Sequence, residues 1–216
     1  MRQTAFIALA LGLASLASAQ ADLRGVYQAI PNGATLAGAR KNAGSPADIA
    51  LLPAVAEQMK TVNLKEDPAK MCQPVGPFRM MAREQTKIEL VPEPTMVVML
   101  FEDLSHGLMR TIYLSRPHPK GAEPTWMGDS TGRWEGDMFV VDTVNFNDRT
   151  WLNDKGAPHS DALHLVERIR PILSGAYLEY KVTAEDPKAL AKPYTYTRYY
   201  EKLKTEVTDD VCEDEP

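Results

Sequence analysis

Between residues 78 and 203 apolar and polar positions alternate with a period of two, in short runs broken by Pro, Gly, Asn and Asp. KIELV, TMVVMLFED, LMRTIYLS, MFVVDTVNF, ALHLVERIR, AYLEYKVTA and YTYTRYYEK are each rich in β-branched or aromatic residues. Successive side chains of a strand point to opposite faces, so these runs read as strands with one buried face. Short strands at regular spacing with tight turns form an antiparallel meander. Closure into a barrel, or a second sheet, protects its edges. The pattern thus predicts a mainly β fold, with Trp134-Glu135-Gly136-Asp137 as a hairpin turn leading into MFVVDT.

The first part of the chain is patterned differently. Residues 21–45 are Gly/Ala/Asn-rich, with a possible short strand at Gly25-Val26-Tyr27-Gln28. From Ser45 the signals turn helical: Ser45 can cap, Pro46 suits a first turn, and Asp48 stands at capping-box spacing. Pro53 kinks or restarts the helix, Leu52, Val55, Ala56 and Met59 share a face, and Asp67-Pro68 ends it. CQPVGPFR is read as a Pro/Gly connector. The expected organisation is a leader at 1–19, an N-terminal extension with a helix at 20–77, a β-barrel domain at 78–203 and an acidic tail at 204–216.

The leader changes the picture of where the protein works. MRQTAFIALALGLASLASAQ has one positive charge, an apolar run too short for a bilayer span, and Ala17-Ser18-Ala19 before Gln20. These are the parts of a secretory signal peptide cleaved after Ala19, which implies a periplasmic or secreted protein. With 24 basic and 29 acidic residues the net charge is −5. No basic stripe is present to neutralise phosphates, so nucleic acid is not an expected partner, and nothing after Gln20 predicts a membrane span. In an oxidising compartment the even count of cysteines favours pairing of Cys72 with Cys212, with two buried thiols as the alternative. A bridge would close a loop of roughly 140 residues and contribute at most about 5 kcal/mol. It would tie the tail back to the body.

Gly128-Asp129-Ser130-Thr131-Gly132 matches the G-x-S-x-G pattern, and Asp142 and His159 follow in the order of a Ser-Asp-His triad. A nucleophile elbow needs a strand before the serine and a helix after it. Here a turn and a strand follow, so the glycines are read as turn residues and Ser130 as a local hydrogen-bonding group.

Alternation offers a better candidate. Arg110 shares parity with Leu108, Ile112 and Leu114; Asp142 with Met138, Val140, Val144 and Phe146; Glu167 with Leu163, Leu165 and Ile169. Each strand would put one ionisable group into an apolar row, where an unpaired charge is expensive. Two carboxylates beside one arginine can be tuned apart into an acid–base pair, or can form an ion-pair network that only fixes register. His159, on the long NDKGAPHSDALH turn, is the expected proton-exchanging group at the barrel mouth. Ser130, Trp126, Trp134 and Asn145 are the expected substrate contacts. A metal site from His159, His164 and Glu167 is disfavoured, because His164 and Glu167 point to opposite faces of one strand. No cofactor or metal is called for.

The blocks Cys72-x-Pro74-x-Gly76-Pro77, GDSTGRWEGDMFVVDT, HSDALHLVER and Glu185-Asp186-Pro187 resemble a large group of secreted bacterial proteins of uncharacterised function. The resemblance covers most of the chain after the leader. It implies that Cys72 and Cys212 belong to one pattern and that WEGDxxVVDT is a defining element, and it implies no reaction. In architecture the meander is similar to lipocalin-like (calycin) barrels, which hold small amphipathic molecules. The function expected is a metal-independent lyase, isomerase or hydrolase acting on a small ringed molecule such as a sugar or aromatic natural product. A periplasmic protein that binds such a molecule without changing it is the alternative.

Overall fold

The computed structural model describes residues 20–102 and 108–208. The leader and Cys212, with the end of the acidic tail, lie outside the described residues. The strands are β1 (Gly25–Ala29), β2 (Thr35–Leu36), β3 (Arg40–Lys41), β4 (Lys87–Glu93), β5 (Met96–Glu102), β6 (Met109–Leu114), β7 (Asp129–Glu135), β8 (Met138–Val144), β9 (His164–Ile172), β10 (Tyr177–Glu185) and β11 (Tyr194–Leu203). Nine of them close a barrel in the order β1-β11-β10-β9-β8-β7-β6-β5-β4, and β4 returns to β1 through Gly25 opposite Leu90. β2 and β3 form a separate two-stranded ribbon.

Every neighbouring pair in the barrel is antiparallel except β6 and β7, which run parallel with Ile112 opposite Ser130. A parallel pair cannot be joined by a hairpin and needs a crossover. Residues 115–128 make that crossover, whereas β4–β5 and β7–β8 are joined by tight turns at residues 94–95 and 136–137. The longer connections, 30–86, 145–163 and 186–193, all leave the other end of the barrel.

The extension at that end is not one helix. Ser45 caps a 3-10 turn at Pro46–Asp48 by accepting from the Ala47 amide at 3.2 Å, α1 spans Pro53–Met59, and further 3-10 turns occupy Leu64–Glu66 and Pro68–Met71. Each proline at 46, 53 and 68 opens a new turn but cannot lie inside one, so the predicted helix is chopped into pieces. The segment read as a connector contains α2 (Pro77–Met80), all of it buried. Helix ends leave carbonyls without intrahelical partners. Here the hydroxyls of Tyr196, Tyr200 and Thr86 donate to the carbonyls of Phe78, Met81 and Met80 at 2.5, 2.6 and 2.7 Å.

The barrel interior is packed with side chains. Ile88, Leu90, Val97, Met99, Phe101, Ile112, Phe139, Val141, Leu165, Leu178, Tyr180 and Val182 are all buried in one core. Burying each large apolar side chain stabilises the fold by roughly 1.5–3 kcal/mol. Gly132, expected in a turn, lies within β7. A Cβ there would stand 2.5 Å from Phe139 Cζ and 2.9 Å from Ile112 Cγ2, so the site requires glycine for close approach.

Candidate functional site

Two of the three ionisable groups assigned to the interior meet there. Arg110 and Glu167 are buried, and the Arg110 fork grips both carboxylate oxygens, Nη1 to Oε1 at 2.9 Å and Nη2 to Oε2. Tyr180 donates its hydroxyl to Oε1 at 2.8 Å, Arg110 Nε donates to Ser130 Oγ at 3.0 Å, and Arg110 Nη2 donates to Thr143 Oγ1 at 2.7 Å. Burial pushes against the charged guanidinium, yet the Glu167 carboxylate holds Arg110 above its ordinary value. Burial and the Glu167 charge push the Tyr180 phenol well up. Every strong donor of this cluster is therefore spent on another member of it. Such a network fixes strand register at a desolvation cost that its own hydrogen bonds offset.

Asp142 does not join it. The inward row of β8 is Phe139, Val141 and Thr143, and Thr143 fills the place expected for Asp142. Asp142 faces the outside of the wall, opposite Thr131 on β7. Alternation misleads here because both rows of MFVVDTV are apolar: Val140, on the outer row, is also buried.

On that outer wall Asp142 belongs to a chain of charged groups. Its Oδ2 meets His164 Nε2 at 3.0 Å, and its Oδ1 meets His118 Nε2 at 2.9 Å. His118 Nδ1 meets Asp129 Oδ1 at 2.8 Å, and Asp129 Oδ2 accepts from Arg116 Nη2 at 2.5 Å. Thr131 Oγ1 lies 3.4 Å from His118 Nε2. Arg116 also stacks on the Tyr113 ring, 3.9 Å from its centroid. Asp129 comes from β7, Asp142 from β8 and His164 from β9, while Arg116 and His118 are carried by the crossover. The side chains are partly open to solvent, 28% for His118, 30% for Asp142 and 34% for His164.

The electrostatics follow from the partners. Both ring nitrogens of His118 face carboxylates, so both contacts are hydrogen bonds only when both nitrogens carry protons. His164 differs. Asp142 takes its Nε2–H, and among the described residues no partner meets its Nδ1. In the neutral ring that nitrogen keeps its lone pair, the arrangement of a carboxylate-oriented general base. Burial works to raise the Asp142 carboxyl, but hydrogen bonds from His164 and His118 and their charges hold it below the ordinary range. Among the described residues no group of His, Cys, Asp and Glu has the arrangement of a metal site.

The remaining expected residues sit elsewhere. His159 is buried beside Phe146; its Nδ1–H is bonded to the Ser160 carbonyl at 3.0 Å and its Nε2 to Thr150 Oγ1 at 2.6 Å. Burial lowers its pKa, with Ser160 and Asp186 acting the other way. Ser130 is buried within β7, which is followed by β8 and not by a helix, and is bonded to Arg110 and Thr143. Trp134 packs against Phe139, with ring centroids 5.1 Å apart, at the tight-hairpin end. Trp126 lies on the crossover, 5.8 Å from the Arg149 guanidinium. Asn145, at φ 62, donates Nδ2 to the carbonyls of Ala122 and Glu123 at 3.3 and 3.1 Å, which pins the crossover bearing His118. Cys72 stands at the end of a 3-10 turn with φ 56.

No protein-family model matches the chain, and no curated protein matches it. Its class is set by architecture: a mainly β, closed nine-stranded and mostly antiparallel barrel, with two short helices among the described residues. No helix among the described residues is long and apolar enough to cross a membrane.

Proposed function

We propose that the protein is a cofactor-independent acid–base enzyme, a lyase, isomerase or hydrolase of small molecules, working on the outer wall of a lipocalin-like barrel. The observation that carries this reading is the His164 ring, held through Nε2 by Asp142 and with no partner at Nδ1 among the described residues, at a solvent-accessible position. His164 takes a proton from substrate or water at Nδ1, and the resulting imidazolium is stabilised by the Asp142 carboxylate. The same nitrogen then returns the proton to the product or leaving group. His118 and Arg116 hold the two carboxylates in place, and Tyr113 and Trp126 supply aromatic surface for a ringed substrate. Arg110 and Glu167, saturated within the barrel, act on this site through the register of β6 and β9. With the leader, the reading places this chemistry in the periplasm or outside the cell.

Isotope incorporation tests the proposal with no need to identify the substrate first. Purified protein is incubated with a small-molecule extract in deuterium oxide or in ¹⁸O-water, and mass spectra are compared with and without enzyme. Mass shifts that depend on the wild-type protein and vanish with His164→Gln and Asp142→Asn support the proposal. Shifts of equal size with both variants, or no enzyme-dependent shift in any extract, would refute it.

A further inference from the structure

Three arginines are buried among the described residues: Arg79, Arg110 and Arg198. Two have a carboxylate, Asp67 for Arg79 and Glu167 for Arg110. Arg198, only 4% exposed, has none among the described residues. Its Nη1 donates to the carbonyls of Gly44 and Thr197 at 2.9 Å and of Ala43 at 3.4 Å, and its Nε donates to the Ala82 carbonyl at 3.4 Å. The guanidinium also lies over the Tyr196 ring, 4.9 Å from its centroid. Its Nη2 meets no partner among the described residues. Carbonyl dipoles satisfy N–H groups but supply no counter-charge, so a buried cation so placed is incompletely compensated.

Arg198 lines a cleft of about 360 Å³ between the barrel end and the N-terminal extension. That volume is at the small end of the range for ligand pockets, roughly 300–1,000 Å³. The other charged lining groups are Arg79, Arg83, Lys155, Glu84 and Asp154, and Arg79 is paired with Asp67 and Asp154. Asp154 is engaged by Arg79 Nε at 2.7 Å, and Glu84 accepts from the Asn32 amide at 2.7 Å. None of these residues belongs to the His164 cluster.

We infer that this cleft binds a small molecule bearing an oxyanion, a carboxylate or phosphate, with Arg198 as its buried anchor. The planar fork of arginine presents N–H donors matched to two oxygens of such a group, and Nη2 is the donor still open. Lys155 on the lip adds a mobile charge that draws the anion in. The site is independent of the proposed acid–base chemistry.

Calorimetric titration of the full chain with citrate and with inorganic phosphate, in low-salt Hepes, tests the inference, with sodium chloride at matched ionic strength as control. Saturable binding of at least one probe is expected, with chloride giving none. Ala47→Glu puts a carboxylate on an exposed lip residue of the cleft and should weaken that binding tenfold or more with the thermal midpoint of the free protein unchanged. Arg198→Lys should weaken it further. Circular dichroism verifies that each variant folds. No saturable binding of either probe, or binding undiminished in Ala47→Glu, would overturn the assignment.

Discussion

Asp142 and His164 stand on adjacent strands of the barrel wall and meet through Oδ2 and Nε2 at 3.0 Å. That single contact decides which nitrogen of the imidazole is left for chemistry. It also separates the two histidines of the cluster: His118 is bonded through both nitrogens, His164 through one.

The difference predicts selective reactivity. Acylation by diethyl pyrocarbonate requires an accessible, unprotonated ring nitrogen. Peptide mapping after brief treatment should find His164 modified before His118 and the buried His159, whose ring nitrogens are both hydrogen-bonded. Equal labelling of His159 would contradict the placement of that ring.

Glu167→Gln should destabilise the protein by about 3–5 kcal/mol, because it leaves the Arg110 charge buried without its partner. Replacing the pair together, Arg110→Met with Glu167→Leu, should recover most of that loss in denaturant titrations. The recovered double variant should also retain isotope incorporation. If it folds and is inactive, the interior pair is needed for more than stability, as a group that sets the register of β6 and β9 would be.

Acid should weaken the fold in two stages. Burial holds His159 below its ordinary value, so between about pH 6.5 and its lowered folded value the unfolded chain binds a proton that the native chain does not. Its stability contribution is complete above about pH 6.5 and declines below it, with a slope of at most about 1.4 kcal/mol per pH unit. Asp67 follows at lower pH. Desolvation pushes its carboxyl up, but the Arg79 hydrogen bonds and charge outweigh it and leave the pKa lowered. Its contribution is present above about pH 3.9 and is lost as the pH falls from there through the lowered folded value. Urea midpoints measured from pH 8 to 3 should show both declines, the first flattened in His159→Gln and the second in Asp67→Asn.

Gly132→Ala should cost about 1–3 kcal/mol, since its Cβ would press on Phe139 and Ile112 in a packed interior. Thermal unfolding measures it. A neutral substitution would mean that the two side chains repack freely.

Much of the barrel is legible because its strands alternate: the runs at KIELV, LMRTIYLS, ALHLVERIR and YTYTRYYEK are all strands, and parity puts Arg110 and Glu167 inside. The same rule selects Arg198, which shares parity with Tyr196 and Tyr200, but its neighbours in the cleft come from residues more than forty positions away, most of them more than a hundred. Parity misplaces Asp142 because both rows of β8 are apolar, leaving no polar row to set it. His118 and Arg116 escape the pattern for a topological reason. They reach Asp142 and Asp129 only because β6 and β7 run parallel and their crossover lies back along the wall, and no local pattern announces a parallel pair in a meander. Gly132 reads as a turn residue because its small size suits a turn, whereas here it lets the interior close around Phe139, and the local bonds expected of Ser130 are made to Arg110 and Thr143 across the barrel.

The most direct measurement of the central claim is the ring ¹⁵N spectrum of His164 near pH 8, where an ordinary imidazole is neutral. The Asp142 contact requires the Nε2–H tautomer, with Nδ1 at the shift of an unprotonated nitrogen, and Asp142→Asn should release the ring to a tautomer mixture. An Nδ1–H ring in the wild-type protein, or a mixture unchanged by the substitution, would contradict the account.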